Sequence, residues 1–127
     1  MTGAGLYLTV AAGGAVGAPA RYLLDVAVAA RSGGRRFPLG TFIVNVSGAF
    51  VLGLVVGAAL HHGLSATARA GLGTGFCGAY TTFSAFSCET VRLLEDGSLG
   101  AAALYVTASV AVGLVAASIG LALALVV

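Results

Sequence analysis

Lysine and tryptophan are absent from this 127-residue chain, and charge of either sign is scarce. Only 8% of the residues are charged, against roughly 25% in an average soluble domain. So few charges could not clothe a soluble fold of this size, and the ordinary globular classes are excluded. The six basic residues are all arginine and are scattered rather than clustered, which gives nucleic-acid binding little support. Two cysteines, Cys77 and Cys88, are too few for a disulfide framework and match no metal spacing. Both read as small buried side chains. No activated nucleophile or metal cluster appears, so an enzyme is not expected. No basic stretch precedes the first apolar segment, as a secretory signal would require, and that segment is expected to remain as a spanning helix.

What is present is apolar surface and glycine. Hydrophobic residues make up 59% of the chain, and 20 residues are glycine, which membrane helices carry more often than soluble ones. A spanning helix needs about 20 apolar residues. Four segments qualify, at 5–28, 39–60, 70–92 and 99–127, within a single domain. The expected fold is therefore an all-α membrane protein with four transmembrane helices. Short polar turns join them: RSGGRRFP at 31–38, residues 61–69, and EDGS at 95–98. His61 and His62 fall in the second of these turns and read as solvated.

Glycines recur four apart at Gly13/Gly17, Gly53/Gly57 and Gly71/Gly75. Such pairs let helix backbones approach closely in lipid, but do not say which helix meets which. Arginines 31, 35, 36 and 92 fall on one side of a four-span topology and Arg69 on the other. By the positive-inside rule this mild bias puts both termini outside.

The third segment is unlike the others. It reads GLGTGFCGAYTTFSAFSCET from Gly71 to Thr90, with five hydroxyl-bearing residues between Tyr80 and Ser87. Glycine and β-branched threonine weaken a helix, and the pattern predicts a helix broken in mid-membrane. Irregular backbone at that depth survives where protein buries it or a cavity hydrates it, and its freed carbonyls and amides serve ions in transporters. The bland alternative is a kinked helix whose hydroxyls bond back to its own carbonyls.

Other residues allow two readings each. Phe83 and Phe86, three apart, are ordinary lipid or core contacts by spacing. Among hydroxyls, their positive ring edges could instead favour an anion without trapping it. Arg21 and Asp25 form a helix-end ion pair, or the arginine concentrates anions at a pore mouth. Asn45, the only amide side chain in the sequence, bonds a neighbouring helix or lines a pore. Tyr105 and Ser109 line a hydrogen-bonding path or bond the next helix. Glu89 reads as a solvated carboxylate near a helix end.

Three stretches make the chain recognisable: GGAVGAPARY at 13–22, GTFIVNVSGAFVLG at 40–53 and GTGFCGAYTTFSAFSCE at 73–89. They resemble the fluoride channel family of bacterial membrane proteins (CrcB or Fluc) and cover three of the four helices in order. The resemblance implies passive export of cytoplasmic fluoride through the inner membrane, conferring fluoride resistance. It implies an antiparallel, dual-topology dimer, with a homodimer expected and a heterodimer with a related chain as the alternative. Phe83 and Phe86 then correspond to pore phenylalanines and Asn45 to a pore asparagine. Thr82, Ser84, Tyr105 and Ser109 correspond to a hydroxyl track, and Arg21 to a first-helix arginine. A structural sodium ion at the dimer centre is implied on the backbone carbonyls of Gly78 and Thr81. Ala79, Tyr80 and Ala85 depart from the family's usual residues. A proton-coupled multidrug exporter, the competing four-helix class, needs a carboxylate at mid-membrane, and none was found there.

Overall fold

The computed structural model describes residues 2–127. Among them every regular element is helical: α1 (Gly3–Ser32), α2 (Leu39–His61), α3 (Ala66–Arg69), a π-helical stretch (Ala70–Cys77), α4 (Gly78–Tyr80), α5 (Phe83–Glu95) and α6 (Leu99–Val126). The short α3, the π-helical stretch, α4 and α5 together make the third of four helical segments.

Two helices, α2 and α6, are long and apolar enough to cross a bilayer. A core helix of a soluble protein passes the same test, but it would be covered by its own chain. Of the most apolar 18-residue window, only 28% is buried in α2 and 11% in α6. These apolar surfaces need a solvent other than water. At 30 residues, α1 extends roughly 45 Å, more than a bilayer core needs. It runs unbroken through Pro19, which removes one backbone donor from the helical ladder.

The glycine pairs find their partners here. Gly13 and Gly17 meet the backbone of Gly71 and Phe76, and Gly75 meets Val10, so α1 lies directly against the π-helical stretch. Gly53 faces the Ala117 carbonyl while Gly120 faces the Phe50 carbonyl, a reciprocal approach that seats α2 on α6. At each of these contacts an added methyl would strike backbone rather than a movable side chain. Close approach replaces the hydrophobic effect as the source of helix association in lipid.

At one end, Arg36 Nη1 donates to Ser98 Oγ at 2.7 Å and ties the α1–α2 turn to the α5–α6 turn. Gly33 and Gly97 adopt positive φ there, 61° and 74°, and reverse the chain after α1 and α5. Just inside sits a cluster of Leu93, Ala102 and Tyr105, against which Phe37, Phe42 and Phe86 pack. His61 belongs to α2 rather than to the following turn. The exposed His62 caps α2, and its ring lies 3.1 Å from the Ala124 carbonyl.

Candidate functional site

The third segment is broken at two residues. Thr81 (φ −79°, ψ 161°) and Thr82 (φ −147°, ψ 120°) are extended, between α4 and α5. Two helical hydrogen bonds are diverted as a result. The Thr82 amide, which a continuous helix would send to Gly78, donates to Asn45 Oδ1 at 2.8 Å. The Ala85 amide, which would reach Thr81, donates instead to Thr82 Oγ1 at 3.1 Å and caps α5. The carbonyls of Gly78 and Thr81 thereby lose their helical donors.

Asn45 works at both ends of its amide. Besides accepting from Thr82 N, its Nδ2 donates to the Thr82 carbonyl at 2.9 Å. One side chain on α2 thus replaces the partner that the Thr82 amide loses and adds a second donor to its carbonyl. The two readings of Asn45 merge, because it bonds a neighbouring segment and also lines a cavity.

The hydroxyls of the segment divide into two groups. Thr81 Oγ1 returns to the Cys77 carbonyl at 2.8 Å and Ser87 Oγ to Phe83 at 2.9 Å, the local back-bonding of a strained helix. Tyr80 is buried, its hydroxyl 2.8 Å from Ser47 Oγ and its ring stacked on Phe76 at 5.4 Å. Thr82 and Ser84 lie apart from these and face each other, with hydroxyls 3.1 Å apart.

Two cavities flank the break. One, about 470 Å³, is lined by Asn45, Gly78, Thr81, Thr82, Phe83, Phe86 and Ser109 among others, with no charged residue. Ser109 Oγ is buried without a hydrogen-bond partner among the described residues. The Phe83 and Phe86 rings are tilted, with centroids 5.8 Å apart. Phe86 rests on Tyr105 at 5.2 Å, whereas Phe83 is 79% exposed. The second cavity, about 400 Å³, is lined by Arg21, Asp25, Thr41, Thr82, Ser84, Cys88 and Glu89 among others.

Several residues differ from their sequence-based reading. Glu89 is not a free helix-end carboxylate. Thr41 Oγ1 donates to its Oε1 at 2.9 Å and Tyr105 to its Oε2 at 2.7 Å, so one carboxylate joins α2, α5 and α6. Tyr105 is fully buried, outside both cavity walls, with its hydroxyl committed to Glu89. It is Ser109, one turn on, that reaches the uncharged cavity. Arg21 and Asp25 line the charged cavity, yet among the described residues Arg21 forms neither hydrogen bond nor ion pair. Cys77 is buried as expected, but Cys88 is exposed because its place on α5 faces the charged cavity. Thr41 was missed by sequence reasoning. Its signal was a hydroxyl one turn before Asn45 on the same helix face.

The sequence matches the family described as CrcB-like protein, Camphor Resistance (CrcB), over residues 8–121. It is similar to a fluoride-specific ion channel FluC of Acidobacterium capsulatum, 47% identical over 116 residues, or 91% of this chain and 92% of that protein. It is similar to a protein of the same name from Geobacter sulfurreducens, 55% identical over 109 residues, with 85% and 87% covered. A fluoride-specific ion channel FluC 1 of Streptomyces avermitilis is 51% identical over 114 residues, with 90% and 91% covered. With matches this long at this identity, the chain belongs to the CrcB family.

Proposed function

We propose that this protein is a fluoride-selective ion channel of the cell inner membrane, exporting cytoplasmic fluoride passively down its electrochemical gradient. It is a multi-pass membrane protein and not an enzyme. Full-length relatives named as fluoride-specific channels support the activity. The observation that carries the mechanism is the uncharged cavity beside a helix break held open by Asn45. Fluoride is small and strongly hydrated, so a selective path must replace much of its water yet bind weakly enough for exit. Hydroxyl and amide donors from Asn45, Thr82, Ser84 and Ser109 would supply the first requirement. The edges of Phe83 and Phe86 would add weak attraction without a trapping charge. Tyr105 would act from behind, as a support under Phe86. Arg21 would draw anions toward the path from the charged cavity.

Export by a leak suits the chemistry of the ion. Hydrogen fluoride is a weak acid that enters cells neutral and ionises inside, so a conductance for the anion prevents accumulation.

The working unit is an antiparallel, dual-topology dimer, as a homodimer or as a heterodimer with a related chain, with the break at mid-membrane. Phe83 supports a second subunit, because a pore ring that is 79% exposed in one chain needs a neighbour to enclose it. Bilayer lipid covers the remaining apolar faces. A sodium ion fits the carbonyls of Gly78 and Thr81. They are uncharged oxygens freed of their helical donors, and nothing lies within 4 Å of where a side chain at Gly78 would start. Hard cations prefer such ligands. The carbonyls of Gly78 and Thr81 would hold the ion, which would supply positive charge at the break. Exchanging sodium for N-methylglucamine should weaken the dimer, read as a shift toward monomer on size exclusion in detergent.

Purified protein in sealed vesicles tests the activity. Fluoride should leave rapidly once valinomycin provides charge balance, while chloride stays inside. Retention of both ions by well-folded protein would overturn the channel reading.

A further inference from the structure

The charged cavity is a paradox for an anion pathway. Its charged lining is one arginine, Arg21, and two carboxylates, Asp25 and Glu89. Glu89 is occupied by the hydroxyls of Thr41 and Tyr105. Among the described residues Asp25 has no such hydroxyl partner. It lies one helical turn after Arg21 on α1, with its carboxylate against Gly40 in the first turn of α2. That position is the first turn of α2, at the positive end of its dipole and beside the cavity. Arg21 has no anionic partner at bonding distance among the described residues, Asp25 included.

We propose that Asp25 is a specificity-tuning residue that offsets the field of Arg21 and so sets how strongly anions collect in this cavity. The identity of the anion as fluoride rests on the channel reading above. An unopposed arginine beside hydroxyl donors would hold a small anion tightly and slow its exit. A carboxylate in the same wall lowers anion occupancy while leaving Arg21 in place. The effect is long-range and through water, so salt should screen it.

The native Cys88 thiol, exposed in the same cavity, reports its potential without requiring flux. Cys77 is 2% exposed and serves as an internal silent thiol. The experiment compares the rates at which an anionic and a cationic methanethiosulfonate reagent modify Cys88 in the reconstituted protein. Asp25→Asn should shift the anionic-to-cationic rate ratio upward by about fivefold at low salt, and by little near 1 M salt. Arg21→Gln should move the ratio the other way. Fluoride efflux at low ionic strength should change in Asp25→Asn by about twofold or more, and the difference should vanish in high salt. An unchanged rate ratio, a salt-independent change, or a Cys88 that neither reagent reaches would overturn the proposal. Wild-type protein that carries no fluoride but shows the predicted rate ratios would refute the channel reading alone.

Discussion

The two cavities share Thr82 in their walls and differ in almost everything else. One is uncharged, built from a broken backbone, a single amide, two phenylalanines and an unpartnered serine. The other holds three charged side chains and is braced by the Thr41–Glu89–Tyr105 bonds. If the protein conducts fluoride as proposed, the comparison teaches how one segment separates two tasks. Attraction acts at a distance and tolerates charge, whereas passage needs donors that release what they bind. Thr82, at the break, stands in both walls, its backbone fixed to Asn45 and its hydroxyl near Ser84.

That separation can be broken at graded cost. Asn45→Ala should have the largest effect. It removes both bonds to Thr82 and leaves the Thr82 amide unpaired, at about 1–3 kcal/mol. Thermal unfolding in detergent should show the loss, and fluoride flux should fall to background because the uncharged cavity collapses. Next comes Phe86→Ile, which forfeits a ring packed on Tyr105 and should cost about 1–2 kcal/mol together with most of the flux. Tyr105→Phe should cost about 1 kcal/mol, since it removes one donor from Glu89 but keeps the ring under Phe86. Flux through Tyr105→Phe should fall far less than through Phe86→Ile. If the two fell equally, the hydroxyl itself would belong to the path and the division between the cavities would fail.

Much of this was legible in the sequence, for physical reasons that can be named. Glycine and β-branched threonine weaken a helix, so their density around Thr81 marked the break. Glycine pairs marked close backbone approach, and the structure adds only which pairs meet. The π-helical stretch at Ala70–Cys77 left no distinct signal, because the same glycines serve α-helical packing equally well. Asn45 was recognised as needing partners, but its partner is backbone, which composition never identifies. Glu89 reads as solvated in the sequence because the donors that satisfy it, Thr41 and Tyr105, come from two other helices, α2 and α6. Tyr80, a departure from the family's usual residue, is explained by Ser47 and Phe76, and Ala85 offers the break only its amide.

Phe83 offers the most direct test. It is 79% exposed within the chain, so Phe83→Ile should change subunit stability by no more than about 0.5 kcal/mol. Its main consequence should be for the ion. Fluoride efflux from sealed vesicles, measured beside the unfolding temperature and the dimer mass of the same preparation, isolates that consequence. The predicted result is a steep fall in fluoride flux with unfolding and assembly unchanged. Wild-type flux through Phe83→Ile would mean that the uncharged cavity beside the break is not the path of the ion.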